Sequence, residues 1–222
     1  MALFNTRKFD EAIGVLEHLI SLKPDNTDAL YHYAAALAEL GRYDEASEAF
    51  DRLLTIDSGN AIAWFEQGIN LANLTRHKDA IFAFDHAIEI KPDYFAAYFN
   101  KARSLDILGQ TNDAIPVYGQ ALDIDPSHTL SLHAKGVALA RTSRFEDAIK
   151  SFDRALEIDI SFAEAWFDKG KALASLGMYR EGVRSFDKAL SIEKSFADVY
   201  FHKGIALENL GRHEDAILAF NK

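Results

Sequence analysis

The sequence predicts an all-α protein, a solenoid of antiparallel helix pairs. Three observations carry that expectation. Residue types recur with a period of 34 through most of the chain. Each period holds two apolar stripes at helical spacing with a turn signal between them. Helix breakers are scarce, with 4 prolines and 12 glycines in 222 residues, which argues against a loop-rich β-sandwich or a disordered chain.

The period comes first, because self-similarity over about 20–50 residues decides an architecture. An aromatic stands at Phe50, Phe84, Tyr118, Phe152, Phe186 and Phe220. Four residues earlier stands a small residue: Ala46, Ala80, Ala114, Ala148, Gly182, Ala216. A second small series runs Ala34, Gly68, Ala102, Gly136, Gly170, Gly204. We number each unit 1–34 from Thr27, Ala61, Phe95, Thr129, Ala163 and Ala197.

The first helix of a unit is set by positions 4, 8 and 11. Position 4 is large (Leu30, Trp64, Tyr98, Leu132, Trp166, Tyr200), position 8 is small, and position 11 is always leucine (Leu37, Leu71, Leu105, Leu139, Leu173, Leu207). The second helix is set by positions 20, 24 and 27. Between the two lies a turn signal at position 15, glycine in Gly41, Gly109, Gly177 and Gly211. Acidic residues then open the second helix, where they suit its dipole. A proline closes three units, at Pro24, Pro92 and Pro126. Gly or Ala at positions 8 and 20 has a mechanical purpose. A larger side chain there would force the two helix axes apart, while the large residues at 4 and 24 fill the space beside the contact.

This pattern closely resembles the tetratricopeptide repeat (TPR) family, whose signature is bulky at 4, small at 8, aromatic or leucine at 11, Ala at 20, aromatic at 24, Ala at 27 and Pro at 32. The resemblance covers essentially the whole chain and implies a right-handed superhelix with first helices on the concave side. There are departures. Position 7, usually leucine in the family, is Lys101, Lys135, Lys169 and Lys203, whose stems would pack while the ammonium reaches water. Position 32 is Ser58, Ile160 and Lys194 in three units, which then lack the proline stop. Pro116 falls inside a second helix, which should be the least regular, with a kink near its start.

In this frame residues 27–60, 61–94, 95–128, 129–162 and 163–196 are full repeats of one array. Residues 1–26 read as the end of a first helix plus a second helix from about Phe9 to Leu22, and 197–222 as a repeat without a capping helix. The chain is therefore expected to be a segment of something longer, or to pack its ends on other copies. A weaker echo with period 102 pairs Trp64 with Trp166 and Tyr98 with Tyr200, with chance as a competing explanation.

Helical geometry places positions 2, 5, 9, 12 and 13 opposite the core stripe, facing the groove. Position 5 supplies Tyr31, Phe65, Phe99, His133, Phe167 and Phe201. These are either packing residues or an apolar track for an extended or helical peptide. Positions 9 and 13 supply Arg103, Arg141 and Lys171, flanked by Asn73 and Asn209. That basic cluster is a candidate site for an acidic peptide or a terminal carboxylate, since arginine binds carboxylates bidentately. His32 and His202, at position 6, read as outward-facing. The Lys/Asn clamp of TPR co-chaperones is not matched, because position 5 is aromatic or His and position 9 is never Asn.

Several function classes fall away. The net charge is −10, from 24 Lys+Arg against 34 Asp+Glu, which disfavours a phosphate-backbone binder. There are 0 cysteines, so no disulfide, thiol chemistry or Cys-ligated metal. No apolar run reaches the roughly 20 residues of a membrane span, and Met1–Lys8 shows no signal-peptide core. No metal-ligand His spacing, phosphate loop or paired carboxylates stand out. The charge is uneven: 2 basic against 7 acidic residues in 27–60, and 6 against 5 in 163–196. The expected function is a non-catalytic, cytoplasmic scaffold without cofactor or metal, binding a protein or peptide in its groove, and neither nucleic acid nor membrane. The alternatives are a self-associating structural module, or the substrate-recruiting segment of a larger protein or enzyme.

Overall fold

The computed structural model describes residues 2–195 and 197–222, with side chains from residue 8 onward. Among them are thirteen helices: α1 (Ala2–Leu22), α2 (Thr27–Glu39), α3 (Tyr43–Ile56), α4 (Ala61–Asn73), α5 (His77–Ile90), α6 (Phe95–Ile107), α7 (Thr111–Ile124), α8 (Thr129–Arg141), α9 (Phe145–Ile158), α10 (Ala163–Ser175), α11 (Tyr179–Ile192), α12 (Ala197–Asn209) and α13 (His213–Phe220). No strand occurs among the described residues. Every first helix occupies positions 1–13, and every complete second helix positions 17–30. Contacts divide the chain into two compact units, Met1–Gln110 and Thr111–Lys222.

Within each unit a second helix packs on the first helix of its own repeat and on that of the next, as α4, α5 and α6 do in the first unit and α9, α10 and α11 in the second. The core is the expected one. Leu30, Leu37, Phe50, Phe84, Leu132, Phe152 and Phe186 are at most 1% exposed. The glycines at position 8 sit directly against the position-24 ring. A Cβ on Gly136 or Gly170 would stand 2.5 Å from the ring of Phe152 or Phe186, so that the ring would have to shift, whereas Ala34 and Ala102 hold this register in two other repeats. At position 20 a Cβ on Gly182 would come within 3.2 Å of the Gly170 carbonyl.

The turn at position 15 is one motif used six times. Gly41, Thr75, Gly109, Ser143, Gly177 and Gly211 all have φ between 59 and 76°. Two hydrogen bonds close each first-helix end, for instance Arg42 N–H to Leu37 O at 2.9 Å and Gly41 N–H to Ala38 O at 2.9 Å. This is the Schellman arrangement, and its far acceptor is in every case the position-11 leucine. The leucine thus fills the core with its side chain and ends the helix with its carbonyl.

The structure departs from the sequence expectations in one place. The break expected near residue 7 is not formed, and α1 runs unbroken from Ala2 to Leu22. Arg7 stands where the other repeats place a residue in the left-handed region, and the helix continues through it. The three repeats without proline at position 32 end their second helix at the same register as the others, at Ile56, Ile158 and Ile192 against Ile90 and Ile124. The loop beyond that end is shaped in several repeats by the next N-cap. Asn26 and Asn60 accept from Ala29 N–H at 3.1 Å and Ala63 N–H at 3.0 Å, and His128 Nδ1 accepts from Ser131 N–H at 3.1 Å. Finally, α7 keeps the full 14 residues of its counterparts around Pro116.

Candidate functional site

The face formed by the first helices of each repeat carries the residues singled out from sequence. In the unit 1–110, Tyr31 and Phe65 are half-buried and rest on the position-24 rings of their own repeats, 6.3 Å from Phe50 and 5.9 Å from Phe84. Tyr94 lies 4.9 Å from Phe65. Phe99 stacks on Phe95 at 6.2 Å, and the Arg103 guanidinium lies 5.8 Å from the Phe99 ring. Asn73 is exposed. Glu66, at position 6, sits close to Tyr31 and Tyr94. Burial pushes its carboxyl above the usual range, and the charge of Glu39 adds to that. Burial and the Glu66 charge raise the Tyr31 and Tyr94 hydroxyls in turn.

In the unit 111–222, His133 lies 5.7 Å from Phe152 and 4.8 Å from Phe162, and its Nε2–H donates to Asp168 Oδ2 at 2.8 Å. Lys171 reaches the other oxygen of Asp168 at 2.7 Å while lying 4.5 Å from the Phe167 ring. Burial alone would raise the Asp168 carboxyl. The hydrogen bonds from His133 and Lys171, and the charge of Lys171, reverse this and hold it below the usual range. Arg141 and Lys171 line one hollow of about 310 Å³ together with Val137, Phe152 and Asp168. Two of the three expected basic residues therefore share a hollow, with a half-buried carboxylate beside them that offsets part of their charge. Arg103 belongs to the other unit.

The packing reading holds for Phe167, and one expectation, that for His202, is corrected. Phe167 is 8% exposed and packs against Phe186, at 6.1 Å, and His202, at 5.2 Å, so it offers no free ring. His202 is turned inward against those rings, and its Nδ1–H donates to the Asp198 carbonyl at 2.8 Å. Phe201 is the exposed member of the position-5 series, at 56%, with Phe220 6.0 Å away. Asn209 donates to Ile205 O of its own helix at 2.8 Å.

Sequence reasoning missed a charge ladder. The position-7 lysines do not simply reach water. Lys101, Lys169 and Lys203 pair with Asp85, Asp153 and Asp187 at position 25 of the preceding repeat, each at 2.5 Å. Gln67 plays the same part, its amide donating to Asp51 at 2.8 Å and Ser47 Oγ at 3.0 Å. At Lys135 the position-25 residue is Gly119, where a Cβ would stand 3.6 Å from the ammonium. The signal was present: lysine at 7 was the departure from the family pattern, and aspartate followed the position-24 aromatic.

A further hollow, about 750 Å³, lies on the opposite side, between the second helices α9 and α11 and floored by Trp166, Lys169 and Leu173 of α10. Among the described residues no group of three or more His, Asp or Glu is placed to hold a metal. No helix among them is long and apolar enough to cross a membrane.

Models described as tetratricopeptide repeat match residues 3–64, 61–94, 99–161, 133–192 and 167–222. The chain belongs to the tetratricopeptide repeat family. Among solved structures, this TPR chain is similar to one from Parabacteroides merdae (TM-score 0.76, 18% identity, 87% of this chain and 77% of that one). It is also similar to YrrB, described as a TPR protein with an unusual peptide-binding site (TM-score 0.74, 20% identity, 83% and 95% covered). MamA from Desulfovibrio magneticus gives a TM-score of 0.72 at 19% identity, with 77% and 96% covered. At such identities the likeness speaks to fold. No curated protein matches the chain.

Proposed function

We propose that this TPR protein is a non-catalytic, cytoplasmic scaffold that binds a peptide or protein segment along its first-helix face. One observation carries the reading. In every repeat positions 4, 8 and 11 repeat their chemistry, while position 13 of the same helix varies: Glu39, Asn73, Ile107, Arg141, Ser175, Asn209. Position 9 varies as widely, from Ala35 to Arg103 to Lys171. A framework that holds its surface rigid while that surface changes repeat by repeat is suited to recognition, because the contacts are arranged before binding. The naming of YrrB as a TPR protein with a peptide-binding site is consistent with this. Arg141 and Lys171, in one hollow, make an acidic segment the favoured ligand for the unit 111–222.

Selection of peptides from a random display library against the full chain tests this. The expected binders are acidic. The selected peptide should bind an Arg141→Glu/Lys171→Glu variant about tenfold or more weakly, with the melting temperature little changed. Binders that ignore both substitutions would overturn the assignment. A second reading, self-association, is favoured by exposed apolar side chains on α12 and α13, with Phe201 at 56%, Ile217 at 60% and Leu218 at 65%. A light-scattering mass of one chain at high concentration would rule it out.

A further inference from the structure

The repeats at 61–94 and 163–196 place a tryptophan at the same position, and the chain itself shows what fits over it. In the first, Trp64 is covered by its own second helix. His86 lies on the indole at 4.5 Å between ring centroids, and Phe82 meets the indole edge-on at 6.1 Å and His86 at 4.5 Å. In the second, the residues in the places of Phe82 and His86 are Arg184 and Lys188. Both side chains stand at the rim, exposed, and the indole of Trp166, with the Lys169 ammonium 5.1 Å from its ring, lines the hollow of about 750 Å³ without an aromatic cover.

The hollow has an apolar floor and a cationic edge. Ile149, Trp166 and Leu173 supply the floor. Beyond Trp166 a second hollow of about 560 Å³ continues along Ile158 and Ile160, which are 49% and 71% exposed. Of the charges, Asp153 is neutralised by Lys169 and Asp187 by Lys203. The lining itself holds three acidic and three basic side chains; with Lys203 beside Asp187 counted in, Arg184 and Lys188 stand against Glu181, one positive charge in excess. Aromatic anchors in pockets with charged rims are the usual hot spots of protein recognition.

We propose that the hollow over Trp166 is a docking site for a protein segment that presents an aromatic side chain with a carboxylate beside it. The aromatic takes the place that Phe82 holds over Trp64, and the carboxylate meets Arg184 or Lys188. The site lies on the second-helix side, between α9 and α11, and shares no lining residue with the hollow of Arg141 and Lys171. The two surfaces can therefore fail or succeed separately.

The test uses the full chain and the peptide acetyl-Glu-Phe-Glu-amide, with 3-phenylpropionate as a minimal probe, read on the indole N–H resonances of Trp64 and Trp166. Both probes should move the Trp166 signal saturably and leave Trp64 in place. The Arg184→Phe/Lys188→His variant, which copies the cover of Trp64, should lose the response. Arg184→Glu/Lys188→Glu should weaken it about tenfold, and both variants should keep the wild-type melting temperature. A Trp166 signal that does not move, that moves equally in the covered variant, or that answers 3-phenylpropionate but not the peptide would overturn the proposal.

Discussion

Trp64 and Trp166 occupy the same position in repeats 61–94 and 163–196, and each indole N–H donates to a loop carbonyl at 2.9 Å, Ser58 or Ile160. Position 5 is phenylalanine in both, position 6 is acidic in both, and position 8 is a glycine against the position-24 ring in both. Beyond that framework the repeats diverge on each face. Glu66 is half-buried near Glu39 and two tyrosines, and its carboxyl is raised. Asp168 is half-buried beside His133 and Lys171, and its carboxyl is lowered. Trp64 is roofed by aromatic side chains of its own repeat's second helix, whereas Trp166 has only the Lys169 ammonium, at 5.1 Å, over its ring and lines a hollow. The lesson is that repeat position fixes burial, while the neighbouring side chains fix the chemistry. Two acids in one register can have opposite electrostatics.

The framework half of that comparison predicts the largest effects, and equal ones. Ala80 is fully buried, and Gly182 holds the same place against the Gly170 backbone. Ala80→Leu and Gly182→Leu should each cost about 3 kcal/mol in chemical denaturation, the upper range for overpacking a tight contact. Near-wild-type stability in either would show that the helix pair can open there, and the framework would not be shared.

The acids come next, and their signs should differ. Asp168→Asn removes an acceptor from two charged or polar donors and should destabilise by about 1–2 kcal/mol at neutral pH. The folded Asp168 carboxyl lies below its unfolded value, so its contribution is present above the unfolded value of about 3.9 and fades as pH falls through the folded one. Glu66 runs the other way. Its folded value is raised, so its contribution is full below about 4.3 and is lost as pH rises through the folded value. Glu66→Gln should therefore stabilise at neutral pH and flatten that loss. Stability curves of the two variants against pH, bending in the same direction, would break the comparison.

Most of the framework was legible in the sequence because its constraints are local and repeated. A small residue beside a ring, a core leucine in each first helix and, in four repeats, a turn glycine recur in phase, and any one repeat vouches for the rest. The outer faces were legible only as far as single positions. Arg141 and Lys171 could be assigned to one side, yet Asp168 beside them could not, because a position-6 acid gains its meaning from His133 one repeat earlier. The roof over Trp64 was hidden for the same reason. It depends on two residues of the second helix, Phe82 and His86, lying over a residue of the first. The break expected in α1 fails in the opposite direction: the period suggested a turn near Arg7, and the helix runs through it.

The turns of the two repeats differ as well. Position 15 is Thr75 in one, at φ 60°, and Gly177 in the other, at φ 75°. A β-branched residue in the left-handed region carries about 1 kcal/mol of strain. Thr75→Gly should recover about that amount, and Gly177→Thr should lose it. Denaturation midpoints that shift by similar amounts in opposite directions would confirm that the two turns are equivalent apart from this side chain. No gain from Thr75→Gly would mean that the threonine is held there by something its repeat mate lacks.

The smallest expected effect concerns the start of the second helix. Arg76 pairs with Asp79 at 2.8 Å in repeat 61–94, as Arg42 does with Glu45, Arg144 with Asp147 and Arg212 with Asp215 in theirs. Repeat 163–196 has Met178 in place of the arginine, opposite Glu181. The recurrence invites the view that the pair holds the turn. Both partners in repeat 61–94 are 54% exposed, however, and exposed pairs contribute about 0–1 kcal/mol. The acid also faces the positive end of its helix whether or not the arginine is there. Arg76→Met should therefore change stability by less than about 0.5 kcal/mol, and Met178→Arg should add no more, with either difference shrinking further in high salt. A loss well above that from Arg76→Met would make the ion pair part of the framework, and would leave repeat 163–196 with a weaker turn than its counterpart.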